Sequence, residues 1–89
     1  MKKQEFLNFL TQNQFPEPVL VEQPPNGSLG THKHDFEVYA LVIEGSIDID
    51  VEDIINKYAV DEIFHMEFQQ PHKEKYGVSG VKYLASRKI

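Results

Sequence analysis

The stretch Phe36-Glu37-Val38-Tyr39-Ala40-Leu41-Val42-Ile43, followed after Glu44-Gly45 by Ser46-Ile47-Asp48-Ile49-Asp50-Val51, decides the fold. Its first part is rich in aromatic and β-branched residues and is apolar on both faces. His34, Phe36, Val38, Ala40 and Val42 share one side of an extended chain, and Tyr39, Leu41 and Ile43 share the other. A strand apolar on both sides is covered on both sides. The first side is assigned to the interior of a closed β-structure. The second side requires a cover, either the N-terminal helix or a second subunit. Gly45 is read as a break, after which strict polar–apolar alternation marks a half-buried strand.

Working outward, Glu52-Asp53 reads as a hairpin turn without the glycine such turns prefer. Residues 54–58 return as a strand, residues 59–62 turn, and residues 63–68 form another strand, interrupted by Gln69-Gln70-Pro71. Residues 72–76 and 80–85 read as a final pair of strands around Gly77-Val78-Ser79-Gly80. Upstream, Val19-Leu20-Val21 is a short strand, and Gln23-Pro24-Pro25-Asn26-Gly27 carries turn chemistry. Residues 3–13 read as a helix with Phe6, Leu7, Phe9 and Leu10 on an apolar stripe. Phe15-Pro16-Glu17-Pro18 stops it. Several short strands at close spacing indicate an all-β sandwich or barrel. The organisation expected is one domain over residues 1–89, with the helix in 1–15 and the barrel in 19–89.

Composition excludes several classes. The net charge of −5, from 14 acidic and 9 basic residues, argues against a nucleic-acid partner, which would require clustered positive charge. With no cysteine there is no disulfide frame, thiol nucleophile or thiolate metal site. No apolar run approaches the roughly 20 residues of a membrane span. The segment Phe6–Leu10 is too short for a secretory signal. A cytoplasmic protein is the expectation.

The chemistry-bearing residues are histidines. His32 and His34 are two apart, so an extended segment places both imidazoles on one face. His72 follows Pro71 at the start of a distant strand, and a barrel can bring it beside the first pair. Three imidazoles leave coordination positions open for water or substrate, as in catalytic metal sites. Glu74 shares the strand parity of His72, which makes it a fourth ligand, an orienter of the histidines or a general base, and the first choice for proton transfer. His65 opposes Phe64 and Met66 in parity and is read as solvated. Tyr39, Tyr58, Tyr76 and Tyr83 are read as packing residues with wet hydroxyls.

These features resemble the cupin family. Gly30-Thr31-His32-Lys33-His34 with Glu44-Gly45 is similar to the first cupin motif. Tyr58, Phe64, Met66 and Pro71-His72 track the second, and the likeness covers nearly the whole chain. The resemblance implies a small jelly-roll barrel with one short N-terminal α-helix. It also implies one divalent metal (Fe, Zn, Ni or Mn) held by His32, His34 and His72, a small-molecule ligand in the cavity, and a homodimer. The sequence departs from the family at two places. Val38 stands where the family carries a glutamate ligand; the adjacent Glu37 faces the other way unless a bulge turns it. Motif two lacks glycines, with Asp61-Glu62 where Gly-Asp is common and Phe68-Gln69 where Ala-Gly is common. The resulting alternatives are a metal-binding cupin, possessing enzymatic activity or not, a metal-free small-molecule-binding module, and a dimerisation domain built on the Leu41/Ile43 face.

Overall fold

The computed structural model describes residues 1–89. The elements are α1 (Lys3–Gln12), β1 (Val19–Gln23), β2 (Ser28–His32), β3 (Glu37–Val51), β4 (Ile54–Tyr58), β5 (Ile63–Met66) and β6 (His72–Lys88). Every strand pairing is antiparallel, and β3 and β6 run beside one another over nearly their full lengths.

The two long strands organise everything else. The first half of β3 pairs with β5 and the second half with β4. The first half of β6 pairs with β2 and the second half with β1. Two layers therefore share β3 and β6: one is β1–β6–β3–β5, the other β2–β6–β3–β4. The inward positions of β3 are Val38, Ala40 and Val42, then Ile47 and Ile49; those of β6 are His72, Glu74 and Tyr76, then Val81, Tyr83 and Ala85. Each strand changes inward parity once, because register shifts between Val42 and Ile47 insert an extra step.

Gly45 and Gly80 make this possible. Both have positive φ, at 72° and 75°. A Cβ on Gly45 would collide with the Gly80 carbonyl, and one on Gly80 would lie 2.5 Å from the Gln23 carbonyl oxygen. Neither glycine ends a strand, contrary to the sequence reading. The chain bends and stays paired, so the break expected at Gly45 and the turn expected at residues 77–80 are bulges inside continuous strands.

The Glu52-Asp53 hairpin forms as expected, with both residues at positive φ (52° and 65°), the conformation a two-residue type I′ turn requires. The missing glycines of the second motif are replaced in conformation too. Asp61 and Gln69 themselves adopt φ of 71° and 57°. Backbone bonds from Asp61 N–H to the Val42 carbonyl (2.9 Å) and from Gln69 N–H to the His34 carbonyl (2.8 Å) hold those turns. The strand expected over 63–68 ends at Met66.

The core between the layers gathers eleven buried residues, among them Val38, Ile47, Phe64 and Tyr76. A second cluster lies outside the barrel. There α1 lays Phe6 and Leu10 on Leu41, flanked by Phe9, Phe15, Tyr39, Ile43 and Leu84. Gln14 at φ 61° and a bond from Phe15 N–H to the Leu10 carbonyl (2.8 Å) turn the chain off the helix. Ser86 Oγ then donates to the Pro16 carbonyl at 2.5 Å, tying the connection to β6. The apolar outer face of β3 is thus covered by the chain's own helix. Leu41, 1% exposed, is not the subunit contact that the dimerisation reading required. No helix is long and apolar enough to cross a membrane.

Candidate metal centre

Four side chains from two distant stretches converge at one end of the cavity. His32 closes β2, His34 lies in the β2–β3 connection, and His72 and Glu74 begin β6. The register explains the meeting, because His32 and His72 are direct cross-strand partners. An irregularity between Leu29 and His32 adjusts the pleat so that the His32 ring faces inward. His34 is not in a strand, as the extended reading had assumed; its carbonyl accepts from Gln69 N–H, which ties the β2–β3 connection to the β5–β6 turn. The ring centroids of His32 and His34 are 4.9 Å apart, and those of His32 and His72 are 4.2 Å apart.

One ligand atom from each of the four residues falls within 4.8 Å of all the others. Nε2 of His72 lies 3.0 Å and Nε2 of His32 lies 3.2 Å from the same oxygen, Glu74 Oε2. Donors at about 2.1 Å from one ion lie about 3.0 Å apart when mutually perpendicular and about 3.4 Å apart in a tetrahedron. The two nitrogen–oxygen separations match that scale. Each of these rings is fixed from behind: His32 Nδ1 contacts the Gly30 carbonyl at 2.7 Å, and His72 Nδ1 the Gln70 carbonyl at 3.0 Å. A carbonyl only accepts, so each Nδ1 carries a proton and Nε2 is the atom that a metal would use, the arrangement found behind metal-bound histidines; without an ion, Nε2–H of His72 donates to the Glu74 carboxylate instead. Glu74 is oriented likewise, with Tyr76 Oη donating to Oε1 at 3.0 Å.

The electrostatics follow the contacts. Burial presses the His72 pKa down, but hydrogen bonds to Glu74 and the Gln70 carbonyl, with the carboxylate charge, outweigh it and the net shift is upward. Burial pushes Glu74 up; the bonds from His72 and Tyr76 and the neighbouring imidazoles outweigh it, leaving the carboxyl below its ordinary range. His34 is lowered by burial and then by its neighbours His32 and His72. Tyr76 is pushed far upward by burial and by the charge of Glu74, so its proton stays on the oxygen.

Glu37 does not join the cluster. Its carboxylate contacts His65 Nε2 at 2.6 Å on the outer face, where His65 also stacks on Tyr39. Val38 points inward, as its parity indicated, and lines the cavity together with Phe36, Phe64 and Met66. The residue that sequence reasoning undervalued is Tyr76. Its hydroxyl is not wet, and the signal was available in the uninterrupted i, i+2, i+4 parity of His72, Glu74 and Tyr76 on one strand. The cavity beside the cluster encloses ≈ 160 Å³.

Against known proteins, no family model matches the sequence and no curated protein matches it. Solved structures do match. The cupin domain of Schizosaccharomyces pombe Cnp3 superposes with a TM-score of 0.72 at 14% identity, covering 84% of this chain and 63% of that one. A cupin superfamily protein from Desulfitobacterium hafniense gives 0.69 at 16% identity, covering 79% and 63%. The fold is a small cupin. A tryptophan-to-tyrosine variant of Bacillus subtilis oxalate decarboxylase matches with a TM-score of 0.71 at 18% identity, over 80% of this chain and 20% of the enzyme. Another structure of that enzyme concerns its Mn(II) centres. The chain thus spans less than two thirds of the length of these neighbours, and at such identities the likeness concerns the fold.

Proposed function

We propose that this cupin binds one divalent metal ion through His32, His34, His72 and Glu74 and presents it to a small polar molecule in the barrel cavity. The observation that carries the reading is the convergence of three imidazoles and one carboxylate with ligand atoms within 4.8 Å of one another. The donor set of three nitrogens and one oxygen suits Fe, Zn, Ni or Mn and does not choose among them. Glu74 supplies from β6 the carboxylate that Val38 cannot. Both of its oxygens are already engaged, by the histidines and by Tyr76, which favours ligand over general base. A bound ion would supply Lewis acidity toward an oxygen of the small molecule. The protein's own part is to fix the histidine tautomers through Gly30 and Gln70, orient Glu74 through Tyr76, and exclude water with Phe36, Val38, Phe64 and Met66.

One observation favours a second reading, a metal-free binding module: every buried side-chain polar atom finds a partner without an ion. Elemental analysis of untagged protein, before and after incubation with each of the four metals, separates the two. The metal reading expects about one ion per chain, lost in His32→Ala. The absence of any stoichiometric ion under all conditions overturns it.

A further inference from the structure

The cavity has a second pole. Arg87, the only arginine of the chain, lines the same cavity as His32, His34 and Glu74. Its guanidinium lies 5.6 Å from the centre of the Phe36 ring. Phe36 in turn stacks on His34, with centroids 4.8 Å apart and planes 14° apart. A line of three planar groups therefore runs from the histidine cluster to the cation. No carboxylate pairs with Arg87; the five ion pairs of the molecule all lie elsewhere. Its direct cross-strand partner on β3 is the apolar Val38. Arg87 is an exposed, unpaired cation in a cavity whose walls include the apolar Phe36, Val38, Phe64 and Met66 and whose one carboxylate, Glu74, is already held by His32, His72 and Tyr76, and so it is placed for an incoming anion.

We infer that Arg87 is a specificity-determining residue that selects small carboxylates, gripping the carboxylate by its planar fork while the rest of the molecule reaches toward the histidine cluster. The guanidinium offers paired N–H donors that match a carboxylate, and the cation–π contact with Phe36 keeps it beside the ring. At ≈ 160 Å³ the cavity falls below the roughly 300–1,000 Å³ of drug-sized sites, which limits the ligand to a few heavy atoms. The inference rests on the proposed function only for what meets the far end of the ligand.

The experiment is a titration of isotope-labelled protein with sodium acetate at constant ionic strength, with neutral acetamide as the control, followed by amide and arginine side-chain NMR shifts. It is run on EDTA-treated and on metal-incubated protein. Acetate is expected to perturb Phe36, Val38 and Arg87 saturably, and acetamide is not. Arg87→Gln is expected to weaken acetate at least about tenfold, as loss of a hydrogen bond to a charged group does. Arg87→Lys, which keeps the charge without the fork, should fall between. Metal content should be unchanged in both variants. Acetate binding equally to wild type and Arg87→Gln, acetamide binding as well as acetate, or no saturable acetate shift in either preparation overturns the inference. The metal reading fails separately: Arg87-dependent acetate binding in protein that takes up no ion would leave this inference standing and remove that one.

Discussion

The molecule contains two histidine–glutamate contacts of the same chemistry in opposite settings. Glu74 meets His72 and His32 inside the barrel, where the His72 side chain is 1% exposed. Glu37 meets His65 on the outer face of β3 and β5, where both partners are about a third exposed. The outer contact is the shorter, 2.6 Å against 3.0 and 3.2 Å. Yet only the inner one collects further donors and borders a cavity. Burial and convergence, not the residue types or the shortness of a contact, make a site. Water screens the outer pair, so it contributes little. Inside, His72 and Glu74 are shielded from water and must be satisfied by protein or by an ion.

His72→Ala should separate the two contacts most sharply. It removes a buried partner from an ionic network, so stoichiometric metal should vanish and the metal-free protein should lose roughly 3 kcal/mol in denaturant titration. Retained metal would place the ion elsewhere.

Glu74→Gln comes next. If Glu74 is a ligand, metal affinity in competition with a chelator should drop by more than the roughly 10–100-fold that an outer partner costs; an unchanged affinity would demote it to a bystander. In EDTA-treated protein the same variant reads the ion pair through pH. His72 is raised from 6.5, so its contribution is complete below that value and fades as pH climbs through its folded pKa. Glu74 is lowered from 4.5, so its contribution is complete above that value and fades as pH drops through its folded pKa. The gap in thermal midpoint between wild type and Glu74→Gln should therefore be widest between pH 4.5 and 6.5 and narrow in alkaline buffer. A pH-independent gap would contradict the pairing.

Tyr76→Phe removes one hydrogen bond from Glu74 and leaves the ring. Metal affinity should weaken about tenfold, with the metal-to-protein ratio at saturation unchanged. The smallest effect belongs to the outer pair. Glu37→Ala should alter stability by about 0.5 kcal/mol or less and leave metal content intact. A large loss of metal there would mean the two contacts are coupled through β3.

Much of this was legible in the chain because period and parity are local properties. The two-sided apolar run at 36–43, the alternation at 46–51 and the stripe of Phe6 and Leu10 each announced an element and its buried face. His32, His34, His72 and Glu74 were identifiable as the groups with the right chemistry, and parity put Glu37 on the opposite face unless a bulge turned it, which the contact with His65 shows it does not. What stayed hidden depended on pairing. Gly45 and the residues 77–80 carry the same signal whether a strand ends or bends, since a glycine at positive φ serves both. Only contact with a neighbouring strand distinguishes them. Asp61 and Gln69 show that a turn can keep its shape without glycine when the backbone bonds around it are satisfied.

The sequence by itself determined the β-rich architecture, the docking face of the helix and the cast of titratable residues, because these follow from side-chain alternation and residue chemistry along a few consecutive positions. The tertiary structure alone decided that β3 and β6 are continuous, that Tyr76 orients Glu74, that Leu41 belongs to the helix, and that Arg87 faces Val38 without a counter-charge. Each of those depends on register between segments up to some fifty residues apart, and register is fixed by cooperative packing that no short stretch of chain encodes.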